Sequence, residues 1–186
     1  MPVSTAVAIA IVVVFAAILV GRQVRAWWEF RGRRVIVCPD NHAPAGVVVD
    51  ARHAAATSLL GTPELRLSSC SRWPERGGCG QPCLSQIAAS PEDCLVRNIV
   101  ARWYEGKACA LCGQSFGPIE WTAARPAMLQ ANGVSVEWSE VPADKLQETL
   151  AAGRPVCFAC HMANKLVRER PDLITDRSSD LHSQGA

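Results

Sequence analysis

Two Cys-x-x-Cys pairs, Cys109/Cys112 and Cys157/Cys160, constrain this chain more than any other feature. Zinc in structural sites takes four ligands in a tetrahedron, with thiolate bonds of about 2.3 Å. One pair offers two thiols from a tight turn, so closing the shell takes two pairs and a fold that brings them together. The chain holds nine cysteines in 186 residues, a high count. In a reducing cytoplasm lasting disulfides are disfavoured, and clustered thiols serve metals or redox chemistry. An odd number also leaves one thiol over in any all-disulfide scheme. The spacing predicts a metal site at Cys109, Cys112, Cys157 and Cys160, with zinc the expected ion and free redox dithiols the alternative.

The compartment is read from the opening residues. From Pro2 to Gly21 no side chain is charged, and this run inflates the 49% hydrophobic content. At helical rise it spans roughly 30 Å, the thickness of a bilayer's hydrocarbon core. No polar face interrupts it at helical period. Arg22, Arg25, Arg31, Arg33 and Arg34 follow, opposed by Glu29 alone. Basic flanks stay on the cytoplasmic side, which predicts a single-pass transmembrane helix over 1–21 with the bulk of the chain cytoplasmic. Residues 22–34 then form a basic juxtamembrane connector, with Trp27 and Trp28 as interfacial anchors. A cleaved signal peptide would carry a positive n-region, absent here. The net charge of +2 sits largely in these arginines. The body carries no broad basic stripe, so the expected partners are the membrane and a protein, not nucleic acid.

Residues 35–106 read as a small α+β, Cys-containing region. RVIVC (34–38), GVVVD (46–50) and ELRLSSC (64–70) have strand patterns, and ARHAAATSLLG (51–61) is a short helix. SRWPERGGCGQPC is rich in Gly and Pro and should be irregular. SPEDCLVRNIVARWYEG (90–106) predicts a helix with Ser90 as its cap, Pro91 in its first turn and an apolar stripe of Leu95, Ile99 and Trp103. Beyond it, residues 127–138 predict a hairpin turning on Asn132-Gly133, a preferred two-residue pair. PADKLQETLAAG (142–153) is a short helix stopping at Gly153. CFACHMANKLVRER (157–170) is a helix that must end before Pro171. The tail over 171–186 is expected to be disordered.

The order of knuckle, hairpin and a helix starting with the second Cys pair resembles a treble-clef zinc finger. More narrowly, CFACHMANK resembles the carboxy-terminal end of HNH endonucleases, where Cys-x-x-Cys-His-x-x-x-Lys recurs. The resemblance covers residues 107–170 and implies a zinc-binding region there. In that family an earlier His is the general base and the helix His binds the catalytic metal. His161 matches the helix His, but no histidine lies between Gly113 and Val156, so the base is missing. The resemblance therefore implies the fold without nuclease activity.

CFACH is also the attachment signature of a c-type haem. That haem is attached outside the cytoplasm, and Met162 is too close to serve easily as the second axial ligand. The alternative function is therefore a redox or electron-transfer protein, using haem at CFACH or an iron–sulfur cluster. Otherwise His161 is expected simply to cap or solvate a helix start. Trp73, Trp103, Trp121 and Trp138 could form an aromatic cage, although packing is the better default.

The remaining cysteines suggest a second site at Cys38, Cys70, Cys79 and Cys83, for zinc or an iron–sulfur cluster, with His42 and His53 as substitute ligands. Cys94, beside Leu95 and Ile99, reads as a buried inert thiol. No Gly-rich phosphate loop, Ser/His/Asp arrangement or metallohydrolase His pair is present. The fold class expected is α+β, an amino-terminal transmembrane helix followed by a small zinc-stabilised domain of treble-clef or zinc-ribbon type. The function expected is a binding or scaffold module, not an enzyme.

Overall fold

The computed structural model describes residues 3–59, 61–119, 121 and 125–173. The chain divides into two units. One runs to Val100 and takes in Pro142–Leu146; the other holds Ala101–Val141 and the chain from Gln147 onward.

The uncharged opening run forms helix α1 (Val3–Phe30), which continues without a break through the arginines. Its stretch Ala6–Phe30 is long and apolar enough to cross a membrane. Large apolar side chains from Val7 to Val20 stand exposed, whereas Ala26 and Phe30 are buried within the first unit. The residues expected as a connector are therefore mostly helix, and their arginines have structural work. Arg22 donates from Nε and Nη2 to the carbonyls of Ser58 and Gly61, at 3.2 and 2.9 Å. The Arg31 guanidinium lies over Trp27 and Trp28, 4.9 and 3.2 Å from the ring centroids. Arg34 is fully buried. Its Nη1 donates to the carbonyls of Phe30 (2.6 Å) and Gly32 (3.3 Å), and its Nη2 to that of Glu29. The Glu29 and Phe30 carbonyls are among those a helix end leaves without intrahelical donors, and Gly32 lies in the turn that follows. Burial pulls the Arg34 guanidinium below its usual pKa, and the Cys94 thiol beside it works the other way. Gly32, at φ +104°, makes the sharp turn out of α1 that a side chain would resist.

Strands β1 (Arg33–Val37), β2 (Pro44–Val49) and β3 (Leu67–Cys70) form an antiparallel sheet with β2 in the centre. Alternation along β2 buries Ala45, Val47 and Val49, so the central strand supplies one core face. Helix α2 (Ala51–Thr57) starts on Asp50, whose Oδ1 accepts from the His53 amide at 3.0 Å. The Arg66 guanidinium holds the same carboxylate through Oδ2 at 3.0 and 2.7 Å. Those two partners, the His53 amide first, keep the Asp50 carboxyl below its usual pKa. The core joins Phe30, Ile36, Val47, Val49, Leu67 and Ile87.

Two helices differ from expectation. Helix α3 (Leu84–Ala89) was not expected, and Ser90 closes it by donating its amide to the Gln86 carbonyl at 3.2 Å. Helix α4 (Val96–Tyr104) starts several residues after Ser90. The reason is tertiary. Val35 donates to the Cys94 carbonyl at 2.8 Å, and Leu95 forms an antiparallel bridge with Arg34. That backbone lies against β1 and is not free to begin a helix. The buried residues of α4 are Val96, Val100 and Tyr104, a stripe rotated from the one expected, although Leu95 just ahead is buried too.

In the second unit, β4 (Ala127–Leu129) and β5 (Ser135–Glu137) form the expected hairpin. Gln130 donates to Val134 at 2.9 Å, so the loop is Ala131-Asn132-Gly133, one residue longer than expected, with Gly133 at φ +78°. This is the three-residue loop that places Gly in the left-handed region. A 3-10 turn at Ala143–Lys145 leads into α5 (Leu146–Ala152). Strand β6 (Arg154–Val156), absent from the sequence reading, pairs with β4 and gives the order β5-β4-β6. Pro155 is tolerated because β6 is an edge strand. Gly153 is forced: a Cβ there would lie 2.0 Å from Met128 Sδ and 2.8 Å from the Thr149 carbonyl. Helix α6 (Phe158–Glu169) ends before Pro171, as expected. Pro171–Leu173 forms a 3-10 turn, and the rest of the expected tail, 174–186, lies outside the described residues.

Trp103 and Trp138 pack edge-on around Tyr104, with Phe116 on the phenol's other flank; they are packing residues, not a cage. The buried Tyr104 hydroxyl donates to the Ala127 carbonyl and accepts from Trp138 Nε1 at 2.9 Å.

Arg34→Met removes the donors from two carbonyls at the end of α1 and from that of Gly32 in the turn after it, and should cost about 1–3 kcal/mol or more, since buried groups left unsatisfied carry that penalty. Tyr104→Phe removes the acceptor used by Trp138 Nε1 and the donor used by Ala127, with a cost of about 1–3 kcal/mol. Urea unfolding followed by tryptophan fluorescence checks both. Unchanged midpoints would refute the assigned roles.

Candidate metal centre

The first pair of cysteines sits on a tight knuckle. Cys109 donates to the Gln114 carbonyl at 2.8 Å, Gly113 donates back to Cys109 at 2.9 Å, and Phe116 donates to Lys107 at 3.1 Å. Ala108 bridges Ser115 across this small hairpin. Gly113 takes φ +74° with no atom near its missing Cβ, so the backbone conformation, not crowding, calls for glycine there.

The second pair is carried by β6 and α6. Cys157 is extended (φ −71°, ψ 159°) and forms the amino-terminal cap of α6, its carbonyl accepting from His161 at 2.9 Å. Cys160 follows in the first turn. Ala110 donates to the Pro155 carbonyl at 2.8 Å, which pins the knuckle against β6. The two pairs therefore meet because an edge strand delivers one of them beside the turn that holds the other.

The result is one group of four thiols. Ligand atoms of Cys109, Cys112, Cys157 and Cys160 all lie within 4.8 Å of one another, and Cys112 Sγ stands 3.8 Å from Cys157 Sγ. Thiolate–metal bonds of about 2.3 Å in a tetrahedron require sulfur–sulfur edges of about 3.8 Å. Cys109 is buried and Cys112 exposed, with the other two between. Leu129 and Val156 form the apolar floor, flanked by Phe116.

The backbone is arranged to favour thiolate. Burial of Cys109 opposes ionisation, but the amides of Cys157, Cys112 and Leu111 and the Cys112 thiol donate to its sulfur and carry its pKa down to about 6. The Cys157 amide reaches that sulfur at 3.3 Å. Cys160 moves the opposite way, to about 12, chiefly because its hydrogen bond with Cys157 favours the neutral thiol. Burial pushes Cys157 up. Four sulfurs this close cannot all ionise without a cation between them. A thiophilic cation removes that conflict.

His161 corrects the expectation of a solvated residue: it is 3% exposed. Asn164 Oδ1 accepts from the Ser135 amide (3.2 Å) and hydroxyl (2.9 Å), which leaves Ser135 Oγ to accept from His161 Nδ1 at 2.9 Å. His161 Nε2 faces Glu137 Oε1 at 3.9 Å. This polar set ties α6 to β5 and so holds the second cysteine pair in place.

The second predicted group is brought together differently. Cys38, Cys70, Cys79 and Cys83 line one small enclosed cavity of about 20 Å³ with Trp73, while His42 and His53 are not among its lining residues. Their sulfurs are not drawn as close as the first four, which form the one group of that compactness among the described residues. Burial raises the Cys83 thiol, and Cys70, Cys79 and Cys38 nearby raise it further. Cys94 is half-buried with its sulfur 3.5 Å from the Pro91 carbonyl.

Sequence reasoning missed β6 and the His161–Ser135–Asn164 set. Pro155 and the shortness of the strand concealed the first. The second joins residues far apart in the chain and leaves no local signal.

Set against protein-family models, curated proteins and solved structures, the chain matches none.

Cys112→Ser removes one ligand of the group and should release its metal and unfold the second unit. Chelation of the unsubstituted protein should do the same. Near-ultraviolet circular dichroism, reporting on Trp103 and Trp138, reads both, and a metal-free chain with an unchanged spectrum would sink the structural role.

Proposed function

We propose that this chain is a membrane-anchored zinc protein with a binding role. Helix α1 spans the bilayer, the rest of the chain is cytoplasmic, and zinc held by Cys109, Cys112, Cys157 and Cys160 fastens a treble-clef-type module. The carrying observation is the compactness of the four sulfurs, all within 4.8 Å of one another. One tetrahedral ion fits that spacing, whereas an iron–sulfur cluster spreads its thiolates over two or four irons. Four protein ligands close the shell and leave no position for water or substrate, as in structural rather than catalytic zinc sites. Against haem at CFACH stand the partners of its residues: Cys157 faces Cys112, and the His161 ring is buried on Ser135. The same burial, with the missing base, argues against nuclease chemistry.

The docking role rests on α6. Phe158, Met162 and Leu166 repeat at helical spacing and are 39%, 45% and 46% exposed, with Val167 beside them. Apolar residues spaced in this way form a stripe that a partner's apolar surface can cover. The cytoplasmic assignment rests on the arginines that follow the apolar run.

The test uses the full chain in membranes. Metal analysis and a visible spectrum after detergent extraction should give colourless zinc. Protease added to intact cells should leave the body of the chain uncut, while inverted vesicles should expose it. Iron with a visible band would transfer the protein to the electron-transfer reading; cleavage from outside intact cells would overturn the topology.

A further inference from the structure

A second group of thiols is left over once the first site is accounted for. Cys38 follows the end of β1, Cys70 ends β3, and Cys79 and Cys83 lie on the loop before α3, yet all four line the same cavity of about 20 Å³. Holding one water-sized particle takes roughly 10–15 Å³. The space is enough for a single ion.

Three further features suit a thiolate-bound cation. The loop Cys79-Gly-Gln-Pro-Cys83 is folded with Gln81 at φ +58°, and the Gln81 amide points at Cys79 Sγ, 3.4 Å away. The Cys109 knuckle uses the same device, an amide donating to sulfur. Arg72 and Arg76 line the same cavity. A dication with four thiolates carries a net charge of about −2; both guanidiniums are already paired, Arg76 with Asp40, which also lines the cavity, and Arg72 with Glu75 at 3.0 Å, so they offset only part of it. Third, the chain from Ser71 to Pro82 has no helix or strand. Turns fold its first half, with Trp73 donating to the Cys70 carbonyl at 3.1 Å and Arg76 to that of Arg72 at 3.0 Å, while Gln81 Oε1 accepts from the Leu67 amide at 2.8 Å. A metal would supply folding free energy there directly.

We infer that Cys38, Cys70, Cys79 and Cys83 form a second site for one thiophilic divalent cation of the zinc class, which staples the irregular loop to the ends of β1 and β3. Binding replaces four thiol protons: one dication enters, four S–H bonds break, and four protons leave to solvent. The sulfurs stand wider apart than in the first site, and the ion draws them in to about 3.8 Å from one another. This site is independent of the function proposed above.

The test is zinc per chain on the full-length protein, extracted in detergent and kept reduced. The unsubstituted chain should hold two. Cys79→Ser/Cys83→Ser should hold one, and Cys109→Ser/Cys112→Ser should also hold one, retained by the second group. One zinc in the unsubstituted chain, unchanged by Cys79→Ser/Cys83→Ser, would overturn the inference while leaving the first site intact. Alkylation mapped by mass spectrometry on the unsubstituted chain does not depend on a variant folding. Cys38, Cys70, Cys79 and Cys83 should resist modification until a chelator is added; modification while two zincs remain bound overturns the assignment.

Discussion

Strands of three residues bury too little to hold a fold, and among the described residues the second unit has only such strands. Small domains with a thin core need a staple, and a metal supplies one because its binding energy is folding energy. The four thiols at Cys109, Cys112, Cys157 and Cys160 sit where that staple is needed, joining the knuckle, the edge strand β6 and the start of α6. What remains of the unit supports them. Tyr104 anchors the sheet through the Ala127 carbonyl, and the His161–Ser135–Asn164 set locks α6 to β5. Amides aimed at Cys109 draw its thiol towards the ionised form that a metal requires.

The first unit solves a different problem, the joining of a long apolar helix to a small sheet. Arg34 does so at the cost of burying a guanidinium. The cost is offset because the charge is aimed at the open carbonyls at the end of α1, where a cation is favoured by the helix dipole. Arg22 serves the carbonyls near the end of α2 in the same way. A run of arginines after an apolar helix thus has two uses at once. Two of its members close helix ends, and on the topology proposed above the run also keeps its side of the membrane.

Thiol clusters in the two units follow one logic at different degrees of completion. In each, cysteines at the end of a strand and on a turn are brought to one place in the fold, less closely in the second group than in the first. In each, an amide donates to a cysteine sulfur. They differ in what surrounds them: the first group stands on Leu129 and Val156, whereas Arg72, Arg76 and Asp40 border the second.

The sequence by itself determined the long apolar helix, the strand patterns in 34–50, the hairpin at Asn132-Gly133, the stop before Pro171 and the pairing of the two Cys-x-x-Cys units. Each of these rests on local chemistry: apolar length, side-chain alternation, glycine's access to positive φ, proline's missing donor and the two thiols of one turn. Tertiary structure decided the rest. Ser90 and Pro91 had every local mark of a helix start, but the Cys94 carbonyl was claimed by Val35 and the helix moved to Val96. Strand β6 exists because β4 offers it an edge, since three residues containing a proline carry no strand signal of their own. His161 is buried because Ser135 and Glu137 on the other side of the hairpin receive it. Local propensities are weak energies, and a hydrogen bond or a burial supplied from a distant part of the chain outweighs them.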